Sequence, residues 1–349
     1  MSDDIHIRKE GRAGRITLAR PKALNALSYE MCGAIEAALE NWRDDDAVAL
    51  VLIDAEGDRA FCAGGDIQQL YDTGRAGDFA YGRRFWADEY RLNAMIARYP
   101  KPYVALMQGF VMGGGVGISC HGSHRVVCES TQVAMPECGI GLVPDVGGSL
   151  ILARAPGRLG EYLGTTGARM GPDDAVYAGF ADTYVPKLKW DDLRAALLEG
   201  GDPEVIGRFA DTPPDGALRA RQAEIDAHFG GEGLQDIVNA LRADGGDFAE
   251  DALKALGRGS PLSMACTVEI VHRLRGPGAD IGRALGLEYR FTWRAMEEGD
   301  FLEGIRAAII DKDRKPNWQH ALGALPGVAV SRMLMPLGPN ALNLEEERA

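Results

Sequence analysis

The spacing of hydrophobic and polar positions changes along this chain, and each change marks an element. Residues 5–19 alternate, with Ile5, Ile7, Ile16 and Leu18 apolar and Gly11 to Gly14 between them, which predicts a β-hairpin ended by Pro21. Met31, Ile35, Ala38, Leu39 and Trp42 then recur at helical spacing behind Ser28, so a helix capped by Ser28 is expected through about Trp42. Asp44-Asp45-Asp46 reads as a solvated turn, and Val48 to Ile53 as an apolar strand buried on both faces. Phe61 to Ile67 repeats the theme as a strand running into Gly64-Gly65, with Asp66 placed to cap a helix over residues 67–71. Residues 72–78 read as a mobile loop, and residues 79–98 as a long amphipathic helix carrying Phe85, Trp86, Glu89, Leu92 and Ile96.

Pro100-Lys101-Pro102 stops that helix, and Tyr103 to Met107 is again a buried strand. It runs into Gly113-Gly114-Gly115, a short helical segment, and a second apolar stretch from Gln132 to Met135. Residues 149–168 look helical with a break at Pro156-Gly157, a short helix starts after Gly171, and Phe180 to Val185 reads as a last strand. From about 190 to 330 apolar residues keep helical spacing, broken by Pro213-Pro214, Gly230-Gly231 and Gly245-Gly246. The expected class is α/β. Its domains are a strand–turn–helix core over 1–190, a helical region over 191–330 and a polar tail over 331–349, frayed from residue 335.

Composition narrows the partners. The 349 residues are 46% hydrophobic and carry a formal net charge of −13, so nucleic acid and anionic membranes are poor partners. An anionic ligand needs a local basic patch against that field. No run approaches the ~20 apolar residues of a membrane span, and the polar start MSDDIHIRKEGR has no signal-peptide core, so a cytoplasmic protein is expected. The six cysteines form no CxxC pair and read as reduced, buried hydrophobes. His121 and His124 have a spacing that fits one helix face, but no third ligand accompanies them and no metal is expected.

Four positions carry candidate chemistry. Gly65 and Gly114 each follow a strand and open a helix, where free N–H groups can converge on one oxygen as an oxyanion hole. Either turn alone is more simply a tight corner. The G-x-G-x-x-G spacing fails at Ile118 and Cys120, which excludes the dinucleotide fingerprint. Glu137 follows Pro136 at an apolar strand end, where burial would raise its pKa and suit it to base or nucleophile work, though taken alone it is more simply a loop carboxylate or helix cap. Asp145 precedes Gly147-Gly148 and, taken alone, reads more simply as a turn or N-cap aspartate before the helix at 149. A serine hydrolase is disfavoured, because Ser119 lies inside the expected helix and His121 occupies the second glycine position of a nucleophile elbow.

At this point the segments FCAGGDI (61–67), GGGVGIS (113–119) and MPECGIGLVPDVGG (135–148) resemble the crotonase (enoyl-CoA hydratase/isomerase) superfamily, and in detail its 3-hydroxyisobutyryl-CoA hydrolase branch. RPKALNALS (20–28), EYRLN (89–93), YPKPYVAL (99–106), HGSHRV (121–126) and EGIRAAIIDKDRKPNW (303–318) match in order, so the resemblance spans about residues 5–320. It implies a spiral of ββα units with a helical C-terminal part, an acyl-CoA partner and no metal or redox cofactor. It implies Gly65 and Gly114 as oxyanion donors, Glu137 and Asp145 as the reacting carboxylates, and Glu89 as a substrate-binding residue. Asp66 and Lys22, with Arg20, are further candidates for substrate and CoA phosphate contacts. The position of the hydratases' first catalytic glutamate is Gly117 here, and Asp145 stands where hydratases commonly have glycine. The resemblance therefore implies thioester hydrolysis, with enoyl-CoA hydration or isomerisation as the rival on the same fold, and a non-catalytic acyl-CoA-binding protein as a further one. A trimer or hexamer is the oligomer the superfamily implies.

Overall fold

The computed structural model describes residues 3–345. The first two residues of the polar N-terminus and the last four of the expected tail lie outside them.

Strands β1 (Ile5–Glu10) and β2 (Ala13–Leu18) form the expected antiparallel hairpin, with Ile7 opposite Ile16. Helix α1 (Tyr29–Arg43) follows, and the Met31 N–H donates to Ser28 Oγ at its N-terminus. Strand β3 (Leu50–Ala55) lies parallel to β2, and β4 (Ala60–Cys62) opens a second sheet. Helices α2 (Gln68–Arg75) and α3 (Phe79–Ala97) lead to β5 (Tyr103–Met107) and β6 (Phe110–Met112). Helix α4 (Gly114–Ser119) leads to β7 (His124–Val127) and β8 (Gln132–Ala134). Then come α5 (Gly148–Arg154), α6 (Leu159–Thr166), α7 (Pro172–Tyr177) and β9 (Thr183–Tyr184).

The larger sheet has the order β1-β2-β3-β5-β7-β9 and the smaller one β4-β6-β8. From β3 to β8 each round of the chain adds one strand to each sheet before the next helical segment, which is the expected ββα spiral. Every neighbouring pair after the first hairpin is parallel. Parallel pairing needs long crossovers, and the intervening helices supply them.

From Trp190 onward the described chain forms helices joined by loops and no strand: α8 (Trp190–Gly200), α9 (Leu218–His228), α10 (Leu234–Asp244), α11 (Asp247–Leu256), α12 (Pro261–Leu274), α13 (Ile281–Ala295), α14 (Phe301–Ile305) and α15 (Gly327–Met333). Two compact units interleave along the chain instead of meeting at one boundary. The first holds residues up to Asp66, Arg91–Ala134 and Arg169–Arg219, and so contains both sheets. Its core sets Leu50, Leu52, Val104, Leu106 and Val126 against Trp190, Leu193 and Leu197 of α8. Burying each such side chain contributes about 1.5–3 kcal/mol. The second holds Ile67–Tyr90, Met135–Ala168 and the chain from Ala220 on, with α12 packed on α5 and α6.

Several expectations need correction. Residues 72–75 are helix, not mobile loop: α2 runs to Arg75 because Leu70 and Gly74 are buried, with Gly74 tight against Leu302. Asp66 does not cap α2; Ile67 is the N-cap residue and makes no side-chain bond. The last strand shrinks to Thr183–Tyr184, since only Val126 and Val127 of β7 pair with it. His121 and His124 do not share a helix face, because α4 ends at Ser119 and His124 begins β7. The tail is anchored just before the part expected to fray: Met333 and Leu334 are buried, and Arg290 and Arg294 donate to the carbonyls of Leu334, Met333 and Met335.

Candidate active site

The first unit brings the two glycine turns side by side. Strands β4 and β6 are neighbours with Cys62 opposite Val111, and Gly65 and Gly114 follow them. A Cβ on Gly115 would lie 2.3 Å from the Cys62 carbonyl oxygen, so only glycine lets α4 start this close to β4. The Gly65 turn is pinned by the Leu27 N–H donating to Gly64 O and the Asp66 N–H to Leu27 O. Neither the Gly65 nor the Gly114 N–H has a backbone acceptor among the described residues. Both donors needed for an oxyanion hole are therefore free, on adjacent strand ends.

The 20–28 loop beside the Gly65 turn is tied down by hydrogen bonds. Buried Asn25, at φ +54°, donates to the carbonyls of Glu56 and Ala60 and accepts the Arg20 N–H. The Arg20 guanidinium donates to Ala26 O and Asp66 Oδ2 and faces Asp4. Arg20 and Asp66 thus form an ion pair at the turn. Lys22, on the same loop, is exposed.

The second unit brings the carboxylates together. Glu137 opens a short 3₁₀ turn, Glu137–Ile140, that the rest of the unit grips. Ser260 N–H donates to Cys138 O, and Leu142 N–H to Glu137 O. Gly141 sits at φ +75° with its Cβ position 2.5 Å from the Asp300 backbone, so no larger residue fits. The Glu137 side chain is 5% exposed, and its Oε2 has no hydrogen-bond partner among the described residues. An orphaned buried oxygen costs about 1–3 kcal/mol and is expected where a substrate will complete the site.

Asp145 is also buried, and Tyr90 Oη donates to its Oδ2 at 2.8 Å. Val146, next in the chain, has φ +52°, a conformation that costs a β-branched residue about 1–3 kcal/mol. That strained loop is held from α13. Gly147 N–H donates to Glu288 Oε2 at 2.9 Å, Ser149 N–H donates to Oε1 at 3.2 Å, and Ser149 Oγ also bonds Oε1. Glu89 lies one residue before Tyr90 on α3 and is 3% exposed.

No cation pairs with Glu89, Glu137, Asp145 or Glu288 among the described residues. Burial pushes the Glu89 and Glu137 carboxyls well above the usual range, and the Asp145 charge pushes both further. Burial raises Asp145 to about 7 against the opposing Tyr90 hydrogen bond, and raises Glu288 to about 8 against its bonds from Ser149. All four carboxyls are thus held above their ordinary range, by burial first. Glu161 is the contrast in the same unit. Burial would raise it too, but His272 and Arg275 hold it down to about 2. Glu161 is a paired anion; the other four have no cation among the described residues and are raised.

Tyr90 and Glu288 did not emerge from the motifs. For Glu288 a signal was present: it falls on the buried stripe Ile281, Ala284, Leu285, Phe291, Thr292 and Ala295 of α13, where a carboxylate is out of place without a partner. It acts as a positioning residue for the Asp145 loop. Glu288→Gln presents an N–H₂ to one of two backbone donors. It is expected to lower kcat about ten- to a hundredfold through a misplaced loop, and to cost about 1–3 kcal/mol in thermal unfolding. Unchanged kcat in a folded variant would remove that role.

A family model described as enoyl-CoA hydratase/isomerase matches residues 13–332. A Gallus gallus protein named "3-hydroxyisobutyryl-CoA hydrolase, mitochondrial" is 38% identical over 98% of this chain and 91% of its own length. The Homo sapiens protein of that name is 37% identical over 92% of this chain and 85% of its own. A crystal structure described as an enoyl-CoA hydratase from Rhodobacter sphaeroides 2.4.1 is 58% identical and superposes with a TM-score of 0.93, covering 97% of this chain and 99% of that one. One described as a carnitinyl-CoA dehydratase from Mycobacterium thermoresistibile is 40% identical with a TM-score of 0.93, covering 99% of this chain and all of that one.

Proposed function

Because the chain belongs to the enoyl-CoA hydratase/isomerase family, we propose that it hydrolyses a short branched 3-hydroxyacyl-CoA such as 3-hydroxyisobutyryl-CoA, a step of valine catabolism. The observation that carries the reading is the unpartnered Oε2 of buried Glu137, in a carboxylate cluster that includes Asp145 and has no cation among the described residues. The names of the Gallus gallus and Homo sapiens relatives support the same substrate.

In this reading the Gly65 and Gly114 N–H groups polarise the thioester carbonyl. Glu137 either attacks the carbonyl carbon, giving a mixed anhydride and CoA thiolate, or takes a proton from the water that attacks it. Asp145, poised near pH 7, gives a proton to the leaving thiolate and takes one from water. Glu89 accepts a hydrogen bond from the substrate 3-hydroxyl. CoA enters as part of the substrate, and the reading calls for no other cofactor. Lys22, exposed on the 20–28 loop, is the proposed contact to CoA phosphate, since Arg20 is committed to Ala26 and Asp66. Lys22→Gln is expected to raise KM about three- to tenfold with kcat unchanged; initial rates over a substrate series read this directly.

Hydration of an enoyl-CoA is the second reading, favoured by the description of the 58% identical structure. Against it, Gly117 is buried in α4 and offers no side chain where the hydratases carry their first glutamate. Mixing the protein with 3-hydroxyisobutyryl-CoA and with crotonyl-CoA separates the two. Release of free thiol from the first is expected. Loss of the enoyl chromophore from the second without thiol release would sink the hydrolase reading. The proposed compartment is the cytoplasm, set against the word mitochondrial in the relatives' names, and cell fractionation decides it. A trimer or hexamer is the proposed assembly, and sedimentation velocity reads it.

A further inference from the structure

Helix α13 has two faces with different tasks. Glu288 and Thr292 are fully buried, and Glu288 holds the Asp145 loop. Arg283, Gly286, Leu287 and Arg290 recur at the spacing of a single helical stripe, roughly opposite Glu288. That stripe lines a cleft of about 550 Å³, closed by Arg273 from the end of α12 and by the Pro336–Leu337 and Ala341–Leu342 segments. The volume suits a small organic molecule.

Three arginines line the cleft in a chain of net charge −13. Arg283 Nη2 donates to Arg273 O, and Arg290 Nη1 donates to Leu334 O. Neither Arg283 nor Arg290 has a carboxylate partner among the described residues; Arg273 is paired with Glu269 through Nε. A guanidinium has five N–H donors, so most of the donors of Arg283 and Arg290 remain for a ligand. The walls are aliphatic, with Leu287, Leu337 and Leu342 and no aromatic ring among the described residues.

Gly286 adds an independent observation. It lies inside α13 on the cleft side, and a Cβ there would meet nothing within 4 Å. Its φ is not in the left-handed region. Neither backbone conformation nor close packing calls for glycine, yet a helix-interior glycine costs about 0.5–1 kcal/mol relative to alanine. Keeping the cleft open accounts for it.

We propose that this cleft binds an organic anion whose head, a carboxylate or a phosphate, is held by Arg283 and Arg290 and whose aliphatic body lies against Leu287, Leu337 and Leu342. The site is separate from the carboxylate cluster, whose negative groups would repel such a ligand, and it does not depend on the proposed reaction.

Calorimetric titration of the full chain at fixed ionic strength tests this with hexanoate, hexyl phosphate and inorganic phosphate. Saturable binding of one or both hexyl ligands is expected, with inorganic phosphate at least about tenfold weaker because it leaves the aliphatic walls uncovered. The tighter hexyl ligand identifies the head group. Arg283→Gln is expected to weaken binding about tenfold. Gly286→Leu fills the cleft while favouring the helix, so it should abolish binding and unfold at or above the wild-type temperature. The proposal is overturned if no probe binds saturably, if inorganic phosphate binds as tightly as the hexyl ligands, or if a folded Gly286→Leu variant binds unchanged.

Discussion

Glu137→Gln is expected to lower thiol release from 3-hydroxyisobutyryl-CoA by about three to five orders of magnitude in kcat, with KM little changed. The amide is nearly isosteric with the acid and sits in the same gripped turn, held by Ser260, Leu142 and the close approach of Asp300 to Gly141. It can neither attack a thioester nor deprotonate water. A single turnover in ¹⁸O-water tests the nucleophilic role of Glu137. Label in its carboxylate demonstrates the anhydride, with water attacking at the Glu137 carbonyl carbon; attack at the substrate carbonyl instead puts the label in the product, as the base route also does.

The same substitution is expected to stabilise the protein. Glu137, Asp145 and Glu288 all have folded pKa values above their usual range, through burial first and through one another second for Glu137 and Glu288. A raised folded pKa means the group favours folding fully while it is protonated in both states. That contribution is lost as pH rises through the folded value, which for Asp145 and Glu288 lies at about 7 and about 8. Wild-type stability should therefore decline from about pH 5 to about pH 9. Glu137→Gln removes one of these groups and should gain about 1–3 kcal/mol at about pH 8, with little gain at about pH 5. Equal melting temperatures for the two proteins at both pH values would contradict the crowded-carboxylate account. A catalytic site that is destabilising when charged is a familiar trade of stability for activity.

Asp145→Asn is expected to lower kcat by about two to four orders of magnitude. The introduced amide would still accept the Tyr90 hydroxyl through its oxygen, so the loop should persist. What the variant loses is the proton that moves near pH 7. The limb of the kcat profile that reports this group should disappear from the variant, while the wild type keeps it. A variant that retained wild-type rate and profile would fit the non-catalytic acyl-CoA-binding alternative, with Asp145 serving as a turn residue. Tyr90→Phe offers a milder comparison, since it removes only the hydrogen bond that lowers Asp145.

Much of the local structure was legible in residue spacing. The hairpin, the Ser28-capped helix and the buried strand at Tyr103–Met107 follow from periodicity and one capping side chain. Failures fell where packing overrides local preference. Gly- and Asp-rich residues 72–75 looked like loop, yet the surface around Leu302 turns them into the last turn of α2. Asp66 looked like a cap, but Arg20, distant in sequence, captured it. For the site, Glu137 and Asp145 stood out by motif, whereas Tyr90 and Glu288 did not, because each acts through a partner far along the chain.

The amino-acid sequence by itself determined the strand–turn–helix repeat, the two glycine turns, the carboxylates at 137 and 145 and the missing side chain at 117. Those properties reside in single residues and their neighbours, where sterics and hydrogen bonding act over a few positions. Only the tertiary structure decided that β4 and β6 are adjacent, so that two turns become a pair of free donors. It alone decided that Glu89, Glu137, Asp145 and Glu288 share one low-dielectric region with no cation among the described residues. A carboxylate's acidity depends on what surrounds it in space, and for these four the surroundings come from segments of the chain far apart in sequence.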